Sequence, residues 1–214
     1  MEATVKVISS ISDNFEPDII SVTVWIEGEA DSKAEAARAY NKSLSSLLSA
    51  LEKTGVKSED VKNGSLDIRP IWRKQKKTGR YSYGSDLSFE VPCVEERFDA
   101  VWAALIGLGD SVTFDFDYGL KDYEGAREKI IRRTVDAGRK RAAVLADATG
   151  CDLGPIVHVE NDLRGIACCD SGYAVAESMT ASGSAKDESP VFNPRPVNVS
   201  CEVTLEYALV ARQG

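Results

Sequence analysis

The stretch Ser111-Val112-Thr113-Phe114-Asp115-Phe116-Asp117-Tyr118 decides the fold class. Val112, Phe114, Phe116 and Tyr118 alternate with Ser111, Thr113, Asp115 and Asp117, and this period of two puts an apolar set on one face of a strand and an acidic set on the other. A half-apolar strand needs a second layer to cover it. The next segment supplies one. Over residues 123–149, Ile130, Ile131, Thr134, Val135, Ala142, Leu145, Ala146 and Thr149 recur at helical spacing, and Gly150 suits the stop. At 1.5 Å per residue, such a helix is roughly 40 Å long.

The same logic extends outward. Residues 19–29 place Ile20, Val22, Val24 and Ile26 on one face of a strand, with Ser21, Thr23, Trp25 and Glu27 on the other. Ser32-Lys33-Ala34-Glu35 is a capping box for a helix running to residue 54, with a stripe of Ala37, Tyr40, Leu44, Leu47, Leu48 and Leu51 and Gly55 just past its end. Residues 4–12 read as a strand, and the turn-forming residues from Asp13 to Asp18 predict a hairpin into the strand at 19–29. Further strands are expected at 65–72 and 83–92, then a short helix at 95–108 that turns Phe98, Val101, Trp102 and Leu105 inward. A strand at 155–160 and a long final strand at 197–212 complete the pattern. Residues 161–196, rich in Gly, Ser, Ala and Asp, carry no core-forming pattern, and a loop of that length is usually functional, mobile or ordered by a partner.

These elements predict an α+β fold: one domain over residues 1–214, with a mixed or mainly antiparallel sheet packed by the two long helices. The order strand–helix–Gly–strand–loop–strand occurs over 19–92 and again over 111–212, a pattern compatible with a βαββ duplication.

Composition narrows the partners. A formal net charge of −8 repels polyanions, so nucleic acid and anionic lipid are disfavoured at the level of the whole molecule. Two local exceptions stand out. Arg73-Lys74-Gln75-Lys76-Lys77-Thr78-Gly79-Arg80 reads as a solvated hairpin loop able to meet a phosphate or an acidic partner. The long helix carries Arg127, Lys129, Arg132, Arg133, Arg139, Lys140 and Arg141, read as a solvated or subunit-facing surface. The N-terminal residues lack the cationic start, apolar run and cleavage site of an export signal, which predicts a cytoplasmic protein, or an envelope or periplasmic one if a leader has been removed. No apolar run approaches the ~20 residues that span a bilayer.

Candidate chemistry is sparse. The five cysteines, at 93, 151, 168, 169 and 201, lack the spacing of a disulfide framework or zinc module. Cys168 and Cys169 are the redox candidates, because adjacent thiols can bind soft metals or form a strained, reducible disulfide. His158 is the only histidine and sits mid-strand, where no spacing brings it a thiol partner. Asp115, Asp117 and Asp122 could face a hard cation but form no ligand loop. No catalytic residue, cofactor or metal site is therefore assigned.

A set of short motifs in order along the chain resembles the SIMPL-domain family. They are Glu16-Pro17-Asp18, the helix opening from Ala34 to Asn41, Leu51-x-x-x-Gly55-Val56, Glu59-Asp60-Val61, Ile68-Arg69-Pro70, Arg141-Ala142-x-x-Leu145-Ala146-x-x-x-Gly150 and Leu153-Gly154. The resemblance implies an α+β fold, homo-oligomerisation into ring-like or channel-like assemblies, a role at the envelope or in stress protection, and no reaction. The chain departs from the family pattern in lacking a signal peptide, in Ser9-Ser10 where a glycine is common, and in the Cys168-Cys169 pair. The expected function is thus a non-catalytic, self-assembling protein whose partner is itself, in an oligomer larger than a dimer. The alternative is a small-molecule-binding or thiol-redox protein working through residues 161–196.

Overall fold

The structure, a computed structural model, describes residues 3–74, 76–162, 179–180 and 190–212. Its elements in chain order are β1 (Thr4–Phe15), β2 (Ile19–Ala30), α1 (Lys33–Lys53), β3 (Lys62–Asn63), β4 (Asp67–Arg73), β5 (Lys76–Pro92), α2 (Glu95–Ile106), β6 (Val112–Gly119), α3 (Tyr123–Ala148), β7 (Cys151–Asp162), β8 (Met179–Thr180) and β9 (Val197–Ala211). Every pairing is antiparallel. The α+β class expected from the alternating strands is what forms, with one difference: the described residues form two sheets, each with its own long helix. The chain divides accordingly into two compact units, one from Pro17–Gly119 with Ala176–Arg195, the other from Met1–Glu16, Leu120–Val175 and Pro196–Gly214.

In the first unit the strand order is β3-β5-β2-β6-β8, with β4 also paired to β5. Ile20, Val22, Val24 and Ile26 are fully buried, because β2 turns its apolar face toward α1 and α2. The helices answer with Ala36, Tyr40, Leu47 and Leu51, and with Phe98, Val101, Trp102 and Leu105. Aromatic rings lock the layer: Phe98 lies 5.0 Å from Phe116, and Trp102 meets Phe114 edge-on at 5.2 Å. Phe192, at the end of the long expected loop, adds its ring 5.5 Å from Phe98. The predicted cap holds α1, with Ser32 Oγ accepting from the Glu35 N–H at 3.2 Å and Gly55 at φ +86° past the end. β6, the strand that decided the fold, pairs with β2 from Val112 to Gly119 and so joins the sheet of residues 19–92.

In the second unit the order is β1-β9-β7, under α3. The hairpin expected between residues 4–12 and 19–29 does not form. β1 instead runs to Phe15 and pairs with β9 throughout, from Thr4↔Ala208 to Phe15↔Val197. Both edges of β2 are already taken by β5 and β6, so it has no side left for β1. β9 consequently lies in the middle of its sheet, with its backbone groups paired on both sides.

α3 buries Ile130, Thr134, Gly138, Ala142 and Ala146, one residue every four. The small side chains bring the helix close to the sheet, and the buried Thr134 hydroxyl donates to the Ile130 carbonyl at 2.8 Å. Leu145, expected inward, is instead 42% exposed. Several of the helix's cations are tied down: Arg127 pairs with Glu124, Arg132 with Glu128 and Arg133 with Asp13, while Arg141 donates to the Ile8 carbonyl at 2.7 Å.

Candidate functional site

The strongest surface feature of the second unit is β7. Among the described residues it has a partner on one side only, β9, and its outer edge is unpaired. Ile156, Val157 and Val159 on this strand are 45%, 53% and 54% exposed, and Val210 of β9 is 50% exposed. Pro155 and the register shifts at Leu153/Ile156 and Ile156/His158 interrupt the first half of the strand, as devices that guard an edge do. Beyond them, from His158 to Asp162, the pairing is regular and the outer edge is a usable template for another strand.

In the first unit, a cleft of about 650 Å³ opens beside β2, β4 and β5. Trp25, Glu27, Glu29, Asp67, Arg69, Tyr83 and Asp86 line it. Its charge is mostly negative, and its one lining arginine is paired with Asp67. Glu29 in turn receives Arg80 at 2.8 Å. Gly28 shapes one wall, because a Cβ there would stand 2.4 Å from the Tyr83 hydroxyl oxygen. The lining includes no histidine, cysteine or lysine; its polar groups are four carboxylates, the Tyr83 hydroxyl, one arginine and the hydroxyls of Ser65, Ser82 and Ser85.

The residues singled out by sequence are scattered. Cys168 and Cys169 lie outside the described residues, as does most of 161–196. His158 is exposed on β7, in register with Glu206. Cys201 alternates onto the opposite face of β9, buried and facing α3, where its thiol approaches Asn161 Oδ1 at 3.7 Å. Burial pushes the Cys201 thiol above its ordinary pKa, and burial followed by the nearby Asp18 carboxylate does the same at Cys93. Cys151 is seven positions from His158 along one strand, roughly 20 Å away. None of these three thiols pairs with His158.

The three aspartates also separate. Asp122 caps α3, its Oδ1 accepting the Gly125 N–H at 2.9 Å. Asp115 accepts from the Phe116 N–H at 3.0 Å. Asp117 is pushed up to about 6, first by burial and then by the Asp115 charge, and its Oδ1 has no partner among the described residues. No group of three or more His, Cys, Asp or Glu among the described residues is placed to hold a metal ion.

The basic run is a correction of another kind: β5 starts at Lys76, so most of the expected loop is a strand paired with β4. Its all-polar sequence has no alternation for a period-two reading to find. The edge position of β7 among the described residues was equally hidden, since the expected strand at 155–160 does not by itself tell whether it lies inside a sheet or ends it.

A model of the SIMPL family, described as a protein of unknown function (DUF541), matches residues 5–207. The chain is 24% identical over 154 residues to the 26 kDa periplasmic immunogenic protein of Brucella abortus (strain S19), and 23% identical over 154 residues to the protein of that name from Brucella melitensis biotype 1. Each alignment covers 67% of this chain and 60% of the relative, so the chain spans less than two thirds of the length of the curated relatives it matches. Among the described residues, no helix is long and apolar enough to cross a membrane.

Proposed function

This chain belongs to the SIMPL (DUF541) family, and from that premise we propose that it is a non-catalytic protein of the cell envelope that acts by assembling with copies of itself into an oligomer larger than a dimer. The observation that carries the reading is the outer edge of β7, where Ile156, Val157 and Val159 stand exposed beside backbone groups that no strand pairs among the described residues. An edge of this kind lowers its free energy when a second strand supplies the missing hydrogen bonds and covers the apolar side chains. Among the described residues β1 is the other outer strand of the β1-β9-β7 order, so pairing β7 of one copy with β1 of the next is a head-to-tail contact, which closes as a ring of several copies. An envelope location, in place of the cytoplasmic one expected from the N-terminal sequence, draws its support from the relatives, which are described as periplasmic.

The non-catalytic part of the reading rests on dispersal. The described thiols are raised in pKa or distant from His158, and the serines of the cleft have no histidine or lysine beside them in its lining. A thiol-redox role would rest on Cys168 and Cys169, outside the described residues. Static light scattering of the purified chain tests the assembly, and comparison of the chain with its His158→Ala variant for mass and for any turnover tests the absence of catalysis. A common mass several times 23.2 kDa in the two proteins supports the reading. A mass of 23.2 kDa at every concentration rejects assembly, and a turnover lost in His158→Ala without loss of folding rejects the non-catalytic role.

A further inference from the structure

Beyond Tyr81, β5 leaves the main sheet. Its pairing with β2 ends at Tyr81↔Ala30, and only β4 accompanies it onward, to the Arg73↔Lys76 pair. At about 3.4 Å per residue this two-stranded ribbon carries its tip roughly 17 Å past the end of β2. The ribbon is braced by Thr78 Oγ1, which donates to the Ile71 carbonyl at 2.9 Å.

The cations along it fall into two groups. Nearer the sheet, Arg69 is neutralised by Asp67, and Arg80 by Glu29 and Asp31. At the tip, Arg73, Lys74, Lys76 and Lys77 are exposed and have no carboxylate partner among the described residues. Beside them stands Trp72, 56% exposed, with Lys77 Nζ 5.3 Å from its ring centroid. An indole left in water next to an unneutralised cluster of cations is the amphipathic combination that suits the boundary between lipid headgroups and acyl chains.

Net charge argues against this only at a distance. The chain's −8 repels an anionic surface, but the screening length at physiological salt is about 8 Å, so a tip some 17 Å past β2 lies about two screening lengths from the end of that strand. Ribbon geometry favours a plane over a groove. Consecutive pairs point to opposite faces, Trp72 and Lys77 to one and Arg73 and Lys76 to the other, so the charges converge only when the tip meets its partner end-on.

We propose that the β4–β5 tip docks on an anionic lipid membrane, with Arg73, Lys74, Lys76 and Lys77 meeting lipid phosphates and Trp72 entering the headgroup boundary. This site is separate from the β7 edge and does not depend on assembly.

Co-sedimentation of the full chain with vesicles tests it, using phosphatidylcholine alone against phosphatidylcholine mixed with phosphatidylglycerol. Binding is expected only to the mixed vesicles, weakening as salt is raised. At about fivefold per cation, Arg73→Gln with Lys76→Gln lowers the partition coefficient roughly thirtyfold, while Trp72→Ala weakens binding and leaves its salt dependence in place. Arg139→Gln with Lys140→Gln on α3 removes the same charge and leaves binding unchanged. The proposal is overturned by no sedimentation with the mixed vesicles at low salt, by equal binding to both vesicle types, or by equal losses from the two double variants. Inorganic phosphate that competes at millimolar concentration would likewise overturn it, by showing a free-anion site instead of a surface.

Discussion

The Cδ1 methyl of Leu205 lies 2.7 Å from the point where Gly138 would carry a Cβ, so the central strand of the three-stranded sheet and α3 meet where the helix has no side chain at all. Ser9 Cβ closes the other side at 3.3 Å from the same point. Leu205 is fully buried, so its methyl can shift only against its core neighbours.

Gly138→Ala sets two effects against each other. Replacing glycine inside a helix gains about 1 kcal/mol, whereas forcing a methyl into a closed contact costs roughly 1–3 kcal/mol. The second should win. Chemical denaturation is expected to show a net loss of about 1 kcal/mol; a stabilised variant would mean that α3 does not approach β9 this closely.

Asp117 makes stability depend on pH with a definite sign. Its folded-state pKa of about 6 lies above the ordinary 3.8, so between those values the folded chain holds a proton that the unfolded chain has released. Stability therefore falls as pH rises through that window. The full shift would correspond to about 3 kcal/mol, which partial solvent access reduces to roughly 1 kcal/mol. Asp117→Asn should recover that amount at pH 7 and nothing below pH 3.8. An equal gain at both pH values would contradict the account.

At the start of α3, Asp122 and Gly125 work as a pair. A Cβ on Gly125 would stand 2.1 Å from the Asp122 carboxylate, so any larger residue there obliges the carboxylate to shift. Asp122→Ala is expected to lose about 1 kcal/mol, and Asp122→Asn, which keeps the acceptor, most of that less. If the two variants unfold alike, the cap contributes nothing.

Much of this fold could be read from residue spacing. The alternation in β2, β6 and β9 named their buried faces, and Ser32, Gly55 and Gly150 marked helix ends where they occur. Sheet assignment was not legible, because Val5, Val7 and Ile11 of β1 suit any apolar partner, and the choice of β9 is settled only by β2 having both edges filled. The candidate interface followed from that hidden step: the exposure of Val157 and Val159 depends on β7 ending the sheet order. Gly138 left no signal either, since an apolar stripe is read from the residues that carry side chains.

Assembly through the β7 edge is tested by the mass of the Val157→Lys/Val159→Lys double variant. Both side chains are more than half exposed, so the substitutions should leave the fold intact and circular dichroism unchanged while placing two charges on the strand. Multi-angle light scattering is predicted to give the wild-type chain a mass above that of a dimer and the double variant a mass near 23.2 kDa. An unchanged oligomer in the folded double variant, or a wild-type mass of 23.2 kDa at every concentration, would contradict it.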